Sequence, residues 1–451
     1  MTAPPGLVLA APSSGSGKTV VTLALLRALR ARGTRVASAK AGPDYIDSAF
    51  HTAATGRSTA NLDSWAMRPE TLARYIAATA DGAELVLVEG VMGLFDGANL
   101  PGRPDAGSTA DLAALTGCPV ILVIDAAKQA ASVAALVSGF ARHRDDVNVA
   151  GVIFNRVGSQ SHAQVLDDAL AAACPDITRL GAVPHDARLD LPERHLGLVQ
   201  AGEHRALETF IDGAAAVLRE HIDLDALTAL ARAPAHIADG VHPGCAVAPL
   251  GQRIAVARDE AFAFIYDSLL TDWRAAGSAL SFFSPLADEA PAPDADAVYL
   301  PGGYPELHGT RLANADRFRT GLRDAAARGA AIFGECGGYM VLGRGLADAD
   351  GARHEMTGLL PLETSFAERR LHLGYREVST RTDSPLGPAG TAFRGHEFHY
   401  ATVTAEDNAS PLFTARNARG DELGPAGISL GRVAGSFIHL IDSRATGEAA
   451  T

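Results

Sequence analysis

The chain has few cysteines and no clustered run of basic residues. Its four cysteines (Cys118, Cys174, Cys245 and Cys336) stand far apart, and none belongs to a C-x-x-C pair. This spacing argues against a disulfide framework and against a cysteine-based zinc site. Lys and Arg number 39 against 52 Asp and Glu, which gives a net charge of -13. Because that charge repels a phosphate backbone, we expect no nucleic-acid partner.

Long apolar runs are also missing. No uncharged apolar stretch reaches the ~18 residues that a membrane-spanning helix requires. The amino terminus, MTAPPGLVLAAPSSG, has no basic leader, and its apolar run is too short for a signal peptide. We therefore expect a cytoplasmic protein that has no membrane partner.

The remaining sequence alternates short apolar runs with amphipathic stretches. GLVLA, ELVLVE and PVILVID are such runs, and alternation of this kind predicts βαβ units around a buried parallel sheet. A chain of 451 residues suits two domains, since single cores usually stop growing below about 300 residues. The predicted fold class is α/β with two domains, each a largely parallel sheet flanked by helices.

Breaks in the alternation predict the domain boundaries. A helical stretch over residues 203–231 closes a first domain of residues 1–231. Residues 232–250 collect Pro, Gly, Ala and His without any period, which predicts a linker. The alternation restarts with RIAVA and predicts a second α/β domain over residues 251–445. Beyond Gly343 the pattern weakens into short strand-like pieces that it does not place.

A candidate phosphate loop, PSSGSGKT, lies between the first predicted strand and an amphipathic helix. It resembles the P-loop G-x-x-x-x-G-K-[ST], with Pro12 in place of the first glycine. Backbone N–H groups and the helix amino terminus can hold phosphate oxygens, Lys18 can reach the β- and γ-phosphates, and Thr19 offers a hydroxyl to Mg²⁺. The predicted ATP-binding residues of this loop are Ser14, Gly15, Ser16, Gly17, Lys18 and Thr19.

Carboxylates follow two of the predicted strands, in GPDYID and EGVMGLFDG. Because the carboxyl ends of parallel strands meet at one edge, Asp44 and Glu89 should reach the phosphates and bind the metal together with Thr19. The bland alternative is that these residues cap loops and form turns. The residues predicted to face the acceptor substrate are Asp44, Tyr45, Asp47 and Asp96.

A further strand, VNVAGVIFN, ends at Asn155. Its amide can read an adenine edge, and we include it among the ATP-binding residues. A strand end capped by a polar residue explains the same pattern equally well.

A candidate nucleophile lies in GECGG, between the apolar strand AAIF and a helix-like YMVLG. This is the nucleophile-elbow pattern with Cys336 in the place of serine. The small residues permit a strained turn, and a helix amino terminus lowers a thiol pKa. The PGG turn after another strand can supply a second backbone donor, so Gly303 and Gly337 are the predicted oxyanion pair. The base should be a histidine remote in sequence, and spacing leaves four open: His372, His396, His399 and His439.

Seven motifs in fixed order resemble a known family. SSGSGKT, GPDYIDSAFH, EGVMGLFDG, LPGGYPELH, GECGGYM, RGHEFHYA and GSFIHL span nearly the whole chain and are similar to the cobyrinic acid (or hydrogenobyrinic acid) a,c-diamide synthases. The resemblance implies a domain like dethiobiotin synthetase followed by a class I glutamine amidotransferase domain. It also implies an ATP-dependent, glutamine-hydrolysing amide ligase of cobalamin biosynthesis, which amidates the a and c acetate groups of a corrinoid.

For the thiol site, the resemblance implies that Cys336 forms a glutamyl thioester and that His439 is its base. Class I amidotransferases usually have His-x-Glu, but no Glu stands two places after His439. Asp442 or a backbone carbonyl is therefore expected to orient the imidazole.

For the phosphate site, the resemblance implies that ATP phosphorylates a substrate carboxylate and that ammonia from glutamine displaces the phosphate. ATP and L-glutamine are the implied substrates, Mg²⁺ the implied cofactor and a corrinoid the implied partner; a homodimer is left open. Cobyric acid synthases and an enzyme that amidates nickel-sirohydrochlorin are the related alternatives. A regulatory P-loop ATPase with a degenerate amidotransferase module is the non-enzymatic alternative.

Overall fold

The computed structural model describes residues 3–98, 106–191, 193–194, 197–198, 203, 206–234, 244–406 and 410–444. Residues 235–243 of the predicted linker and residue 445, the predicted end of the second domain, lie outside the described residues. The chain divides into two compact units, Met1–Trp65 with Leu72–His242 and Ala66–Thr71 with Pro243–Thr451. The short segment 66–71 therefore belongs to the second unit. The sequence pattern did not predict this membership.

Strands and helices alternate through the amino-terminal half. The strands are β1 (Gly6–Ala10), β2 (Val36–Ala41), β3 (Ala60–Leu62), β4 (Leu85–Glu89), β5 (Val120–Asp125), β6 (Val149–Val157), β7 (Thr178–Pro184), β8 (Glu193–Arg194) and β9 (Gly197–Leu198). The helices are α1 (Lys18–Ala31), α2 (Tyr45–Thr55), α3 (Pro69–Ala80), α4 (Thr109–Thr116), α5 (Val133–Arg142), α6 (Gln160–Ala173), α7 (Leu207–His221) and α8 (Leu224–Leu230).

A seven-stranded sheet in the order β3-β2-β4-β1-β5-β6-β7 forms the centre of the first unit. Its neighbouring strands all pair in parallel. All five residues of β1 are buried, because helices cover both faces of the sheet. The loops that follow β1, β2 and β4 therefore all leave the sheet on the same side, at the carboxyl ends of the strands.

One predicted helix is two helices in the structure. The stretch over residues 203–231 is interrupted between α7 and α8 at Asp223, whose side chain accepts hydrogen bonds from the backbone N–H groups of Asp225 and Ala226. Asp223 is an N-cap that begins a new helix. Continuous amphipathic patterning did not reveal this break.

The carboxy-terminal half is richer in strands. They are β10 (Arg253–Ala257), β11 (Ala279–Phe283), β12 (Ala297–Leu300), β13 (Ala331–Glu335), β14 (Gly345–Ala347), β15 (Arg353–Glu355), β16 (Leu362–Ser365), β17 (His372–Thr380), β18 (Ala392–His399), β19 (Thr402–Glu406), β20 (Pro411–Asn417), β21 (Glu422–Leu430), β22 (Val433–Ser436) and β23 (Ile438–Ser443). The helices are α9 (Asp267–Ala275), α10 (Gly309–Ala313), α11 (Asp316–Ala327) and α12 (Gly337–Leu342), with 3₁₀ turns at Pro285–Ala287 and Pro305–His308.

Ten of these strands form one mixed sheet in the order β11-β10-β12-β13-β22-β21-β20-β17-β18-β23. The first five strands in this order, β11, β10, β12, β13 and β22, pair in parallel. The remaining strands of this sheet, β21, β20, β17, β18 and β23, pair antiparallel and are among the pieces that the sequence pattern left unplaced. The predicted two-domain α/β class is confirmed, and the second unit carries an antiparallel extension of its parallel sheet.

Among the described residues, no helix combines the length and the apolar character that a bilayer crossing requires.

Candidate functional site

The loop after β1 has the backbone geometry of a phosphate-binding loop. Gly15 and Gly17 have φ angles of 81° and 82°, a region that favours glycine. A Cβ atom on Gly17 would lie 2.3 Å from Nδ2 of Asn155, so this position tolerates no side chain. Helix α1 begins at Lys18, directly after the loop, and its amino terminus faces the loop.

Polar contacts hold this loop in place. The Asn155 amide donates to the Ser16 carbonyl oxygen at 3.0 Å, and the Ser16 hydroxyl donates to the Ser13 carbonyl oxygen at 2.9 Å. Ser14 is exposed at the loop tip. Asn155 thus lies against the phosphate loop, and its reading of an adenine edge stays a prediction.

The carboxylate of Glu89, at the end of β4, is the centre of a buried cluster. Its Oε1 atom lies 2.6 Å from the Thr19 hydroxyl, 3.0 Å from the Lys40 ammonium and 3.3 Å from the Lys18 ammonium. Its Oε2 atom lies 2.6 Å from Nε2 of His51. Side chains from the start of α1, from β2 and from α2 therefore converge on the carboxylate at the end of β4.

Asp47 belongs to the same cluster. Its Oδ2 atom lies 2.5 Å from the Lys40 ammonium and 3.4 Å from the Thr19 hydroxyl. Asp44 instead caps α2, because its Oδ1 atom accepts hydrogen bonds from the N–H groups of Ile46 and Asp47. Tyr45 is the first residue of α2 and is buried.

Asp96 lies in the loop that follows β4. Its Oδ2 atom accepts a hydrogen bond from the Gly93 N–H at 2.9 Å, and the Leu94 N–H donates to the Ala11 carbonyl oxygen at 2.8 Å. Asp96 therefore shapes a loop that contacts the end of β1, beside the phosphate loop.

Opposite charges within this cluster counteract the effect of burial on the pKa values of its members. Burial alone would raise the pKa of Glu89, but Lys40 and Lys18 outweigh it and hold that pKa well below its usual range. Burial and the nearby Lys40 lower the pKa of Lys18. Burial and the nearby Asp44 raise the pKa of Asp47, against the influence of Lys40. Two lysines thus share two buried carboxylates, and a bound anion would interact with both ammonium groups.

The oxygen atoms of the cluster fit a hard divalent cation. The Thr19 hydroxyl donates to Glu89 Oε1 at 2.6 Å, so a hydroxyl and a carboxylate oxygen, both ligand types that Mg²⁺ prefers, lie together. The donor set therefore suits Mg²⁺ accompanied by a polyphosphate.

Lys40 and His51 were missed by the motif analysis. The whole chain has only three lysines, Lys18, Lys40 and Lys128, and two of them meet at Glu89. Because lysine is rare in this arginine-rich chain, the presence of Lys40 at the end of a predicted strand could have marked it as a candidate site residue. His51 lies in GPDYIDSAFH but carries no such signal.

In the second unit, Cys336 lies in a sharp turn between β13 and α12. Its φ angle of 47° is unusual for a residue with a side chain, as expected of a nucleophile elbow. The thiol is buried and donates a long hydrogen bond of 3.8 Å to the Phe398 carbonyl oxygen. Burial, and to a smaller extent Glu306, raises the pKa of the thiol, so Cys336 is protonated in this structure.

The predicted oxyanion glycines lie side by side. A Cβ atom on Gly337 would be 2.9 Å from the backbone nitrogen of Gly303, so the two peptides approach closely. A Cβ atom on Gly302 would be 2.4 Å from Cε1 of His439. The Gly-Gly turn after β12 therefore leaves room for the imidazole and places the Gly303 N–H next to the elbow.

Of the four candidate histidines, His439 is fully buried on β23 and contacts the Gly-Gly turn. His396 is its cross-strand neighbour on β18. Burial lowers the pKa of His439 to about 3, and His396 and His399 lower it in the same direction. The imidazole is therefore neutral, as a base that takes a thiol proton must be.

A carboxyl group from β13 lies near His439. Glu335 Oε2 is 3.8 Å from Nδ1 of His439, and the same carboxyl group accepts hydrogen bonds from the Tyr299 hydroxyl and the Leu440 N–H. Asp442 does not occupy this position, because Arg68 engages both of its oxygens, through its backbone N–H at 2.7 Å and through Nη2 at 2.8 Å. The nearby carboxyl group comes from β13 and was not predicted.

His372, Glu397 and His399 form a cluster with ligand atoms within 4.8 Å of one another, a spacing that can hold a metal ion. Arg376 donates to Glu397 at 2.7 Å, and Nε2 of His399 lies 3.0 Å from the same carboxylate. The charge of Glu397 is therefore balanced by protein groups alone.

Two family models match the chain. Residues 7–199 match a model described as a CobQ/CobB/MinD/ParA nucleotide binding domain. Residues 253–446 match a model described as a CobB/CobQ-like glutamine amidotransferase domain. The first match contains the Glu89 cluster, and the second contains Cys336 and His439.

Curated relatives match over nearly the full length. The chain is 58% identical over 437 residues to the hydrogenobyrinate a,c-diamide synthase of Rhizobium meliloti strain 1021, covering 97% of this chain and 99% of the relative. It is 56% identical over 448 residues to the enzyme of the same name from Brucella abortus biovar 1 strain 9-941, covering 99% and 100%.

Solved structures are more distant. PurLQS from Thermotoga maritima has a TM-score of 0.31 and 20% identity, covering 42% of this chain and 86% of that one. The hydrogenase maturation factor HypB from Archaeoglobus fulgidus has a TM-score of 0.27 and 12% identity, covering 48% and 91%. Likeness at this level carries no argument about function.

Proposed function

Because the chain belongs to the hydrogenobyrinate a,c-diamide synthase family, we propose that it amidates the a and c acetate groups of hydrogenobyrinic acid. It is an amidating enzyme of cobalamin biosynthesis, with a nucleotide-binding domain and a glutamine amidotransferase domain. We class it as an ATP-dependent carbon-nitrogen ligase. One observation carries the proposal: a single chain contains both kinds of site. In the first, Thr19 of the phosphate loop donates a hydrogen bond to Glu89, and in the second, a buried histidine lies against the Gly-Gly turn beside the elbow cysteine.

In the glutamine site, Cys336 is the proposed nucleophile and His439 the base. As the sulfur bonds to the carboxamide carbon, His439 takes the thiol proton and passes it to the departing ammonia. The Gly303 and Gly337 N–H groups stabilise the oxyanion, and water then hydrolyses the glutamyl thioester to glutamate. Both groups begin neutral, which keeps the thiol unreactive until a substrate is in place.

In the phosphate site, the Ser14–Thr19 loop is proposed to hold ATP, and Asn155 to support the loop and meet the adenine. A substrate carboxylate oxygen attacks the γ-phosphorus, ADP departs, and ammonia then displaces phosphate from the acyl carbon. Lys18 and Lys40 balance the charge on the transferring group. Mg²⁺, when bound with ATP, adds further positive charge there.

The proposed metal ligands are Thr19, Asp44 and Glu89. Asp44 would have to supply its second oxygen, because Oδ1 caps α2. The proposed contacts to the corrinoid acetate are Asp44, Tyr45, Asp47 and Asp96. The buried Asp47 beside Lys40 supports this assignment.

The reaction is tested by mass spectrometry of the products formed from hydrogenobyrinic or cobyrinic acid with ATP, Mg²⁺ and glutamine. We expect two amidation increments on hydrogenobyrinic acid. Four increments would indicate a cobyric acid synthase instead. ATP hydrolysis that is indifferent to any corrinoid would favour the regulatory ATPase.

The thiol role is tested by Cys336→Ala, which should abolish glutamate release while ammonium salts still support amidation. Cys245→Ala is the matched control, because Cys245 lies in the same unit and is partly exposed. Unchanged glutamate release by Cys336→Ala would reject Cys336 as the nucleophile.

A further inference from the structure

Three carboxyl groups act on the thiol of Cys336. Glu306, Glu335 and Glu397 each raise its pKa, and Glu306 has the largest effect of the three. Position supports this for two of them: Glu335 immediately precedes Cys336, and the Cys336 thiol donates to the carbonyl oxygen of Phe398, the residue after Glu397. A carboxylate close to a nucleophilic thiol opposes formation of the thiolate, so its presence needs a separate reason.

Two of these carboxyl groups are fully engaged by protein donors. Glu335 accepts hydrogen bonds from the Leu440 N–H on Oε1 at 3.0 Å and from the Tyr299 hydroxyl on Oε2 at 2.7 Å. Glu397 interacts with His399 through Oε1 at 3.0 Å and with Arg376 through Oε2 at 2.7 Å. Both oxygens of each of these carboxyl groups therefore already have a protein partner.

Glu306 differs from both. The residue is 8% exposed, and its Oε2 atom is buried with no hydrogen-bond partner among the residues that the structure describes. Burial raises the pKa of Glu306 to about 7, against smaller opposing effects of its own backbone N–H and of Arg369. A buried polar oxygen without a partner is unfavourable in the free protein and is expected where a ligand supplies the missing donor.

The position of Glu306 places it beside the elbow. It lies in the 3₁₀ turn Pro305–His308, which follows the Gly-Gly turn after β12. A Cβ atom on Gly337 would be 2.9 Å from both Cδ of Pro305 and the backbone nitrogen of Gly303. The residue before Glu306 therefore packs against the start of α12, immediately after Cys336. Cys336 is 3% exposed and Glu306 is 8% exposed, so the two residues that flank this contact are both buried.

We propose that Glu306 binds the α-ammonium group of L-glutamine and so selects free glutamine over amides that lack this cation. The proposal rests on the glutaminase function proposed above. A cationic ligand stabilises the ionised carboxylate and so offsets the free-energy cost of burying it. It also reduces the repulsion that Glu306 exerts on a thiolate at Cys336.

The test measures binding without turnover. Cys336→Ser protein is titrated by calorimetry with L-glutamine and with glutaramic acid, which has hydrogen in place of the α-ammonium group. We expect L-glutamine to bind on the order of 100-fold more tightly, because losing one partner of a buried charge pair has an effect of this size. Adding Glu306→Gln should weaken L-glutamine binding by a similar factor and bring the ratio of the two affinities close to one.

Glu355→Gln in the same background is the control, since that carboxylate is exposed and pairs with Arg319. It should leave the affinity ratio unchanged. Should Glu306→Gln not give a cooperative melting transition, Glu306→Asp carries the test, because the shorter side chain withdraws the carboxylate and must lower the ratio.

Equal affinities for the two ligands in Cys336→Ser protein, or no binding of L-glutamine, would overturn the proposal. So would a folded Glu306 variant whose affinity ratio is unchanged. Glutamate release by the unsubstituted chain is measured separately. A chain that releases no glutamate but keeps the affinity ratio refutes the proposed glutaminase and still supports the assignment of Glu306.

Discussion

The Nδ1 atom of His439 lies 3.8 Å from the Oε2 atom of Glu335, the residue that immediately precedes the elbow cysteine. The carboxyl group is held in this position by the Tyr299 hydroxyl and the Leu440 N–H. A carboxyl group from β13 therefore lies near His439 in a chain that has no Glu two places after this histidine. At 3.8 Å the contact is longer than a hydrogen bond and shortens only if the imidazole or the carboxyl group moves.

Glu335→Gln should change the pH dependence of glutamate release. Burial raises the pKa of Glu335 to about 7, against the effects of its two hydrogen bonds. The carboxylate that favours a protonated His439 is present above this pH and lost below it, so kcat should rise with pH through about 7. Glu335→Gln should flatten this rise and lower kcat by about 10- to 100-fold.

The control for that experiment is Glu377→Gln, since Glu377 is a half-buried carboxylate of the same unit that pairs with Arg394 and Arg444. Its profile should match that of the unsubstituted protein. If the Glu335→Gln profile also matches, Glu335 does not orient the imidazole.

Asp442→Ala should affect stability and not the chemistry. Asp442 is fully buried and both of its oxygens are engaged by Arg68. Because the Arg68 side chain is 35% exposed and water can solvate it, removing its partner should cost about 1–3 kcal/mol, and the melting temperature should fall. Glutamate release at a temperature where the variant is folded should keep its kcat and pH profile. A large decrease in kcat without a loss of stability would show that Asp442 acts in the thiol site.

Gly302→Ala should disable the glutamine site alone. The new Cβ atom would lie 2.4 Å from Cε1 of His439 and would displace the imidazole. A displacement near 1 Å can cost on the order of 100-fold in rate, and we expect a loss of that size in glutamate release. Amidation driven by ammonium salts should persist. Gly139→Ala is the control, because a Cβ atom there meets nothing within 4 Å.

Lys40→Met should reduce corrinoid-dependent ATP hydrolysis. The Lys40 ammonium lies between the carboxylates of Asp47 and Glu89, within the proposed phosphate site. Removing preorganised charge of this kind typically lowers kcat on the order of 100-fold. Lys128→Met is the control, because Lys128 is exposed. Unaltered kcat and KM for ATP in folded Lys40→Met protein would show that Lys40 only neutralises its neighbours.

His439→Gln should weaken the dependence of folding stability on acid. Burial lowers the pKa of His439 to about 3, whereas an unfolded histidine titrates near 6.5. The unfolded chain therefore binds the additional proton between these values, and stability is lost as the pH falls through this window. Between pH 7 and pH 4 the unsubstituted protein should lose about 3 kcal/mol more than His439→Gln. Equal losses in urea-induced unfolding would contradict a buried neutral imidazole.

Local sequence determined the parts of this protein whose geometry depends on neighbouring residues. The phosphate loop and the cysteine elbow were both predictable, because glycines at fixed spacing between a strand and a helix allow few other conformations. The α/β class followed from apolar runs alternating with amphipathic stretches. The motifs in fixed order also indicated the family, and the comparisons confirm it.

Only the tertiary structure decided which side chains complete each cluster. Lys40 and His51 reach Glu89 because β2 and β4 are neighbours in the sheet, and Glu335 approaches His439 because β13 and β23 bring them together. Asp442, three residues after His439, is instead bound by Arg68. Burial then sets the pKa values of Glu306, Glu335 and His439, and burial depends on every element packed around a residue and not on its place in a motif.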